Sequence, residues 1–389
     1  MLALDAIAVQ DTPVAVHGAA PVAELPFTLV NDYVVLHTRV DGVPADLILD
    51  TGSATSVLDS AWAAEKGIAQ NGQPVQALGT GAARLSMSTV GSLRVGPLEL
   101  RDLRMGVVPL TGVMQATGQR IQGTIGLEFF ARWVVEVDYA GERIRMYEPR
   151  SFDYRGDGVQ VPVSLDNPIP VALVDLELDD GSTARARLAV DLGSSRLSVR
   201  VSRRFAREHG ALAGGLHAPM GTGVGGMVMG FLHRIPALRI GGLRVPGPTV
   251  SVAEEDRGFL TVPWADGSVG APVFRGTRMF IDYSRRRIIF EPTPALQVPA
   301  EYDASGLYLV AEGEALRRPR VRHVVPGGPA AAAGVRVGDE LVSIDGHAAG
   351  EMELAAIRAL LRRPGETRRL VLRRDGALLD VLLPLRELI

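Results

Sequence analysis

The chain has 389 residues, no cysteine and a formal net charge of −3. Its length suits two or three domains with sizeable cores, and the lack of cysteine excludes disulfides, thiol nucleophiles and thiolate metal sites. Because arginines are scattered among acids and no long apolar run occurs, the composition argues against a nucleic-acid partner and predicts no integral membrane segment.

Residues 1–24 are rich in alanine, valine and proline. They contain neither a basic start nor a continuous apolar core, so we expect no signal peptide in this stretch. We interpret the segment as a mostly unstructured N-terminal arm.

A pattern of β-strands begins after the arm. Residues 27–40 alternate well enough for a strand, Asp41-Gly42 predicts a hairpin turn, and the apolar residues 45–49 return as a second strand that ends at Asp50. The strand leads into the motif Asp50-Thr51-Gly52-Ser53. In it the glycine permits a sharp turn, and a hydroxyl is available to hydrogen-bond the carboxylate.

Short helices and further strands follow. We expect a helix over residues 60–66 with Ser60 as its N-cap, and strands over residues 75–108 with a glycine-rich turn at Gly79-Thr80-Gly81. One helical turn is expected over residues 127–131, and a hairpin over residues 133–147.

The second half repeats these landmarks. An apolar run again ends at an aspartate, in Asp191-Leu192-Gly193-Ser194. The other landmarks recur in order and at nearly constant distance: Asp180-Gly181, the helix N-cap Ser202, the turn Gly221-Thr222-Gly223, Gly267-Ser268-Val269-Gly270 matching Gly123-Thr124-Ile125-Gly126, and Asp282-Tyr283 matching Asp138-Tyr139. Such repetition indicates a duplicated domain, with one copy in residues 25–155 and the other in residues 156–298.

Both copies resemble the retropepsin-like aspartic proteases. The resemblance rests on Asp-Thr-Gly-Ser after an apolar strand, on the glycine hairpin about thirty residues later, and on the later apolar-apolar-glycine segment. It implies a mainly β fold, in which two acid-protease β-barrel lobes are fused in tandem as in the pepsins. One chain then carries both halves of an active site.

The resemblance also assigns roles to residues. Asp50 and Asp191 are the expected catalytic dyad, and the glycine hairpins are expected to be flaps over a bound peptide. Leu192 departs from the family pattern, so half of the reciprocal brace between the two catalytic loops is expected to be missing. The expected supporting residues are Thr51, which bonds across to the opposite loop, Gly52 and Gly193, which let the backbones approach the carboxylates, and Ser53 and Ser194, which hold the outer carboxylate oxygens.

Two carboxylates that share one proton can activate water and protonate the peptide bond without a metal. Two negative charges about 3–4 Å apart repel by roughly 4 kcal/mol at an effective dielectric constant of 20, so one carboxyl stays protonated while its partner is ionised. The sequence leaves open which of Asp50 and Asp191 carries the proton. We predict an aspartic endopeptidase that acts on proteins or peptides and needs no cofactor.

Residues 302–389 resemble a PDZ domain of the kind appended to bacterial proteases, a small α+β fold. The resemblance rests on small residues ending in Ala333-Gly334, then Gly338-Asp339-Glu340 and Ile344-Asp345-Gly346. It implies a peptide ligand that adds a strand to the sheet edge. The expected peptide-binding residues are Gly306, Leu307, Tyr308 and Leu309 in the carboxylate-binding loop, and Leu354 and Ile357 on the groove helix; Tyr308 replaces the usual second glycine.

Two alternatives remain open. In the first, the protease is a homodimer that pairs the Asp50 lobes of two chains, so the chain is predicted to be a monomer or a dimer. In the second, to which Leu192 points, the lobes are inert and the protein is a peptide-binding scaffold. PDZ-bearing bacterial proteases commonly work outside the cytoplasm, and this resemblance predicts a periplasmic or cell-envelope location.

Other motifs predict no further site. Residues 221–226 fit G-x-G-x-x-G, but strand-like residues follow where a dinucleotide site needs a helix. The seven histidines show no metal-binding spacing, and Ser194-Ser195 is not in a nucleophile elbow.

Overall fold

A computed structural model describes residues 20–70, 75–210 and 214–389 of the chain. Residues 1–19 of the predicted arm lie outside the described residues. Ala23 and Glu24, which the sequence analysis placed in the arm, belong instead to a strand that pairs with residues 143–146.

The first lobe is built from eleven described strands and three short helices. They are β1 (Ala23–Pro26), β2 (Thr28–Val30), β3 (Tyr33–Val40), β4 (Val43–Leu49), β5 (Val57–Asp59), β6 (Val75–Leu78), β7 (Ala82–Val95), β8 (Leu98–Val108), β9 (Gly123–Ile125), β10 (Val134–Asp138) and β11 (Arg143–Tyr147), with α1 (Ser60–Glu65), α2 (Thr111–Thr117) and α3 (Leu127–Phe130).

The second lobe repeats this architecture. Its elements are β12 (Val159–Pro162), β13 (Val171–Glu177), β14 (Thr183–Asp191), β15 (Val199–Val201), β16 (Leu216–Gly223), β17 (Gly226–Arg234), β18 (Ala237–Ile240), β19 (Leu243–Pro246), β20 (Thr249–Ala253), β21 (Gly267–Gly270), β22 (Thr277–Asp282) and β23 (Arg287–Pro292), with α4 (Arg203–Glu208) and α5 (Ala271–Phe274). Single 3-10 turns lie at Gly258–Thr261, Tyr283–Arg285 and Pro294–Gln297.

The duplication is visible in the order of the strands. The first lobe contains the run β3-β4-β9-β5-β8-β7, and the second contains β13-β14-β21-β15-β20-β17. In each lobe the strand that ends at the aspartate pairs in parallel with the strand of the apolar-glycine segment. The two aspartates therefore occupy equivalent positions in two equivalent sheets.

A separate six-stranded sheet joins the lobes. Its order is β1-β11-β10-β22-β23-β12, so that three strands come from each lobe and β10 pairs with β22 at its centre. The apolar side chains of both lobes and of this sheet form one continuous core. Because the core is shared, the lobes hold their aspartates in a fixed relation.

Local chemistry explains the elements near the site. The two-residue turn between β3 and β4 has Asp41 and Gly42 at φ +48° and +80°, as a hairpin turn of the primed type requires. The Ser60 N-cap prediction is wrong, because the Asp59 carboxylate caps α1 by accepting from the Trp62 N–H at 3.0 Å. Ser202 caps α4 as predicted, accepting from the Phe205 N–H.

The C-terminal domain has its own apolar core. It contains β24 (Leu307–Glu312), β25 (Arg318–Val324), β26 (Glu340–Ile344), β27 (His347–Ala348), β28 (Thr367–Arg374) and β29 (Ala377–Pro384), with α6 (Pro329–Ala332), a 3-10 turn at Ala349–Glu351 and α7 (Leu354–Leu360). A smaller cluster joins it to the second lobe, where Val325 packs with Met220 and Leu260. In the described ranges no helix is long and apolar enough to cross a membrane.

Candidate active site

The two predicted aspartates lie side by side between the lobes. The Asp50 N–H donates to the Ile125 carbonyl at 2.9 Å, and Asp191 is in register with Gly270 in the parallel pair of β14 and β21. The side chains of Asp50 and Asp191 are within hydrogen-bonding reach of each other. A single chain therefore brings two carboxyl groups together, one from each copy.

Glycines let each loop approach the opposite carboxyl group. A Cβ atom at Gly193 would lie 2.3 Å from Asp50 Oδ1, and a Cβ atom at Gly52 would lie 2.4 Å from Asp191 Oδ1. Such distances are far inside van der Waals contact, so a side chain at either position would displace the carboxylate. The Gly52 N–H also donates to Asp50 Oδ1 at 2.8 Å. The resemblance implied a close approach of the backbone at these two glycines, and the distances agree with it.

The glycine of each apolar-glycine segment supports the loops from behind. A Cβ atom at Gly126 would lie 2.7 Å from the Ser53 carbonyl oxygen, and one at Gly270 would lie 2.5 Å from the Ser194 carbonyl oxygen. The residue after each glycine donates its N–H to the same carbonyl, at 3.1 Å in the first lobe and 2.8 Å in the second. The support of the two loops is thus symmetric.

The brace between the loops is one-sided. The Thr51 hydroxyl donates to the Val190 carbonyl at 2.6 Å and accepts from the Leu192 N–H at 3.0 Å. Leu192 has no hydroxyl with which to return these bonds, and its side chain is fully buried in the shared core. At the position where the family pattern has a second hydroxyl, Leu192 therefore contributes apolar packing instead of hydrogen bonds.

Among the described contacts, the hydroxyls of the two serines have partners other than the catalytic-loop carboxylates, which differs from the prediction. The Ser53 hydroxyl donates to the Thr55 carbonyl at 2.6 Å instead of holding the Asp50 carboxylate, because that acceptor lies two residues further along the same tight loop. The Ser194 hydroxyl is 3.5 Å from a guanidinium nitrogen of Arg200, and the Ser194 N–H donates to the Asp191 carbonyl at 3.2 Å.

The electrostatics of the pair are asymmetric. Burial raises the pKa of Asp50 well above its usual range, and the charge of Asp191 raises it further. Burial also raises the pKa of Asp191, but the nearby Arg200 guanidinium opposes that rise. The difference favours a proton on Asp50 and a negative charge on Asp191.

Sequence reasoning missed Arg200. It occupies the middle of β15, between the buried Val199 and Val201. The sequence did offer a signal for it: Arg200 is a single charged residue within a short apolar strand that follows the aspartate. The first copy has Asp59 at the position equivalent to Arg200, the same number of residues after its aspartate, and Asp59 caps α1. Comparison of the two copies therefore did not indicate a cation at this position.

Both predicted flaps are hairpins, and their tips meet over the aspartates. The Thr80 hydroxyl is 2.8 Å from the Val224 carbonyl oxygen and 3.0 Å from the Gly226 carbonyl oxygen, while the Gly81 N–H donates to the Val224 carbonyl at 3.2 Å. The side chains of residues 82 and 83 lie outside what the structure describes. The remaining tips cover a cavity of about 510 Å³ that contains the dyad.

The wall of this cavity includes residues of the first hairpin, the second hairpin and the C-terminal domain. Gly79, Thr80, Gly221, Thr222 and Gly223 contribute from the hairpins, whereas Gly81 packs behind them against Gly225. The C-terminal domain contributes Tyr308, Arg358 and Arg362. The Tyr308 phenol lies 2.8 Å from the Thr222 hydroxyl, so the domain touches the second hairpin directly.

The predicted groove of the C-terminal domain is covered by the first lobe. Leu307, Leu309, Leu354 and Ile357 are all buried, and α2 packs against β24. A Cβ atom at Gly118, just after α2, would lie 2.8 Å from the Leu354 Cβ. Assignment of these residues and of Gly306 to peptide binding stays a prediction.

Backbone donors in the predicted carboxylate-binding loop already have partners. The Leu307 N–H donates to the Ser305 hydroxyl at 3.0 Å, and the Gly306 N–H donates to the Asp303 carboxylate at 2.7 Å. Gly306 has φ +75°, a conformation that favours glycine.

Comparison with known proteins agrees with this geometry. The aspartyl protease family matches residues 36–129 and 174–271, and the PDZ domain family matches residues 320–374. Each aspartyl protease segment contains one of the paired aspartates. No curated protein matches the chain.

A solved structure of a photosystem II D1 C-terminal processing protease is also similar to part of the chain. The two share 30% identity over 22% of this chain and 23% of that chain, with a TM-score of 0.21. The chain therefore spans less than a quarter of the length of that protein, and nothing further is drawn from the likeness.

Proposed function

We propose that this chain, which carries two aspartyl protease segments and a C-terminal PDZ domain, is an aspartic endopeptidase with an intramolecular Asp50/Asp191 dyad. The observation that supports the proposal is the pairing of one carboxyl group from each copy, backed by Gly52 and Gly193, within a single cavity. This arrangement lets one chain hold both an acid and a base against the same substrate atom.

The first step is the attack of water on the peptide carbonyl carbon. Asp191, kept ionised by Arg200, takes a proton from the water as the new C–O bond forms. Asp50, kept protonated by burial and by the charge of Asp191, gives its proton to the carbonyl oxygen. The product is a neutral gem-diol, and the dyad again holds one proton, now on Asp191.

The second step breaks the C–N bond. Asp191 gives its proton to the leaving nitrogen, while Asp50 takes a proton from one hydroxyl of the diol. A carboxylic acid and an amine leave, and the protonation of the dyad returns to its starting state. Overall, one water molecule is added across the peptide bond, so the cycle needs no oxidant, reductant or cofactor.

Access of the substrate requires movement of the hairpins. Their tips are hydrogen-bonded to each other through Thr80, and a Cβ at Gly79 would lie 2.5 Å from the Val224 carbonyl oxygen. We infer that these tips separate to admit an extended peptide and close again to exclude water.

Cleavage of casein across about pH 3–8 tests the proposal. Asp50→Asn and Asp191→Asn should each abolish a pepstatin-sensitive activity, because each removes one member of the acid–base pair. Asp179→Asn, which changes an exposed aspartate, should leave the activity unchanged. Activity that persists in Asp50→Asn would contradict the dyad.

The same variants separate the alternatives. A homodimer that pairs two Asp50 lobes would keep its activity in Asp191→Asn and would elute as a dimer in gel filtration. A mixture of Asp50→Asn and Asp191→Asn should stay inactive if the dyad is intramolecular. An inactive wild type whose melting temperature is unchanged by pepstatin would favour the scaffold function.

A further inference from the structure

Arginines gather at one side of the cavity. Arg196 comes from the loop after Asp191, and Arg358 and Arg362 come from α7 and the residues that follow it. All three are half-buried, and all three line the cavity that contains the dyad. Two different domains thus contribute cations to one wall.

Within the described residues, the contacts of these guanidinium groups are with neutral atoms. Arg196 lies over the Tyr308 ring at 4.7 Å, and its Nε is buried without a hydrogen-bond partner. An Nη of Arg358 donates to the Leu309 carbonyl at 2.7 Å. Hydrogen bonds and ring contacts of this kind do not neutralise the positive charges.

Two carboxylates, Asp32 and Asp303, offset part of this positive charge. Asp32, which faces Arg362, is bridged to Arg275 at 2.8 Å. Asp303, which faces Arg196, accepts from the Ser305 hydroxyl at 2.9 Å and from the Gly306 N–H at 2.7 Å.

The like charges act on one another. Burial, together with the charges of Arg196 and Arg362, lowers the pKa of Arg358 to about 10, although the charge of Asp303 opposes that fall. Three half-buried cations face two carboxylates, one of which is also bridged to a fourth arginine. An excess of positive charge therefore remains at this wall, and a bound anion would offset it. The cavity wall therefore favours the binding of an anionic ligand from outside the described part of the chain.

We propose that Arg196, Arg358 and Arg362 form a subsite for a carboxylate of the bound peptide. The subsite lies at the junction of the second lobe and the PDZ domain, in the wall of the cavity that contains the dyad, and the proposal rests on the proposed peptide-binding function of that cavity. Its ligand is a carboxylate, from the C-terminus of the peptide or from an acidic side chain.

The size of the cavity limits where cleavage occurs. The dyad and the three arginines line one and the same cavity of about 510 Å³. A carboxylate held by the arginines therefore places the scissile bond only a few residues from that group. Free C-termini would then be trimmed in short steps.

Binding to a catalytically inactive full-length chain tests the subsite without depending on turnover. The host is Asp50→Asn, and the probes are N-terminally dansylated apolar heptapeptides with a free C-terminus, an amidated C-terminus, or an amidated C-terminus preceded by glutamate or glutamine. We expect a peptide that offers a carboxylate to bind at least about tenfold more tightly than one that does not. Only the carboxylate can form charge-assisted hydrogen bonds with the guanidinium groups.

The pattern of affinities identifies the source of the carboxylate. Preference for the free acid over its amide assigns the subsite to a C-terminus. Preference for the glutamate amide over the glutamine amide assigns it to an acidic side chain. Equal affinity of all four peptides, or no binding of any, overturns the proposal.

Variants in the same host locate the effect. Arg362→Gln should abolish the preference, whereas Arg363→Gln, which alters the exposed neighbouring arginine, should preserve it. Arg196→Gln serves as a second variant, and thermal melting checks that each folds. A preference for the carboxylate that persists in both Arg362→Gln and Arg196→Gln overturns the assignment. The binding result does not depend on turnover, so it remains valid even if the wild type fails to cleave casein.

Discussion

The Tyr308 phenol oxygen lies 2.8 Å from the Thr222 hydroxyl oxygen and links the PDZ domain to the second hairpin. Thr222 is two residues from the hairpin turn, and Tyr308 is almost completely buried. The position where the PDZ resemblance leads us to expect glycine thus contacts the roof of the cavity that contains the two aspartates. A small residue there would leave the hairpin without this support.

Tyr308→Phe should loosen the second hairpin. Loss of one hydrogen bond, worth about 1 kcal/mol, should speed amide hydrogen exchange over residues 216–234 by roughly fivefold. Tyr139→Phe is a matched control, because the Tyr139 hydroxyl is buried and has no hydrogen-bond partner in the part of the chain that the structure describes. Unchanged exchange in Tyr308→Phe would show that the hairpin is held by its contact with the first hairpin alone.

Thr51→Val should destabilise the protein. The substitution preserves shape but leaves the buried Val190 carbonyl and the Leu192 N–H without a partner, at a cost of about 2–4 kcal/mol in free energy of unfolding. Urea denaturation measures this loss. Thr51→Ser keeps the hydroxyl and should recover most of it; equal stability of the two variants would contradict the role of the hydroxyl.

Gly193→Ala should inactivate the proposed enzyme while the fold persists. The added Cβ meets the Asp50 carboxyl group at 2.3 Å and must displace it, and a displacement of about 1 Å in a catalytic group can reduce kcat/KM about a hundredfold. Gly52→Ala, whose Cβ would lie 2.4 Å from Asp191 Oδ1, offers the matched change in the other loop and should inactivate likewise. Gly210→Ala is the neutral control, since among the described residues its Cβ meets nothing within 4 Å. Retention of activity in Gly193→Ala would contradict the close approach of the loop.

The repeat made much of this site predictable. Asp50 and Asp191 each come at the end of an apolar run, and the other landmarks recur in order and at nearly constant distance from them, so the equivalence of the two loops followed from spacing. The roles of Gly52 and Gly193 followed from family resemblance and agree with the distances. Side-chain direction was less predictable: Ser53 bonds to the Thr55 carbonyl, because the turn places a backbone acceptor nearer than the carboxylate.

Contacts between domains could not be read from the sequence. Tyr308 and Arg358 are more than a hundred residues from Asp191, and neither copy of the repeat has a counterpart of the PDZ domain. Their place in the cavity depends on how α2 packs against β24 and on the cluster around Val325. Periodicity describes the faces of single elements and does not specify such docking.

Arg200→Met should shift the acidic limb of the pH profile of kcat/KM to higher pH. The Arg200 charge opposes the rise in the pKa of Asp191, so its removal makes the ionised form of Asp191 harder to reach. Arg200→Lys keeps the charge and should restore the limb toward its original position. A merely structural role of Arg200 would lower activity at every pH without moving the limb.

The raised pKa of Asp50 should also be visible in the stability of the protein. Because the folded state binds a proton at Asp50 more tightly than the unfolded state does, this group contributes stability that is fully present below its unfolded pKa. The contribution is lost as pH rises through its folded pKa. Wild type should therefore lose free energy of unfolding, relative to Asp50→Asn, as pH increases from about 3.5 toward neutrality. Urea denaturation of both proteins, with Asp179→Asn as control, measures the difference, and parallel pH profiles of wild type and Asp50→Asn would contradict it.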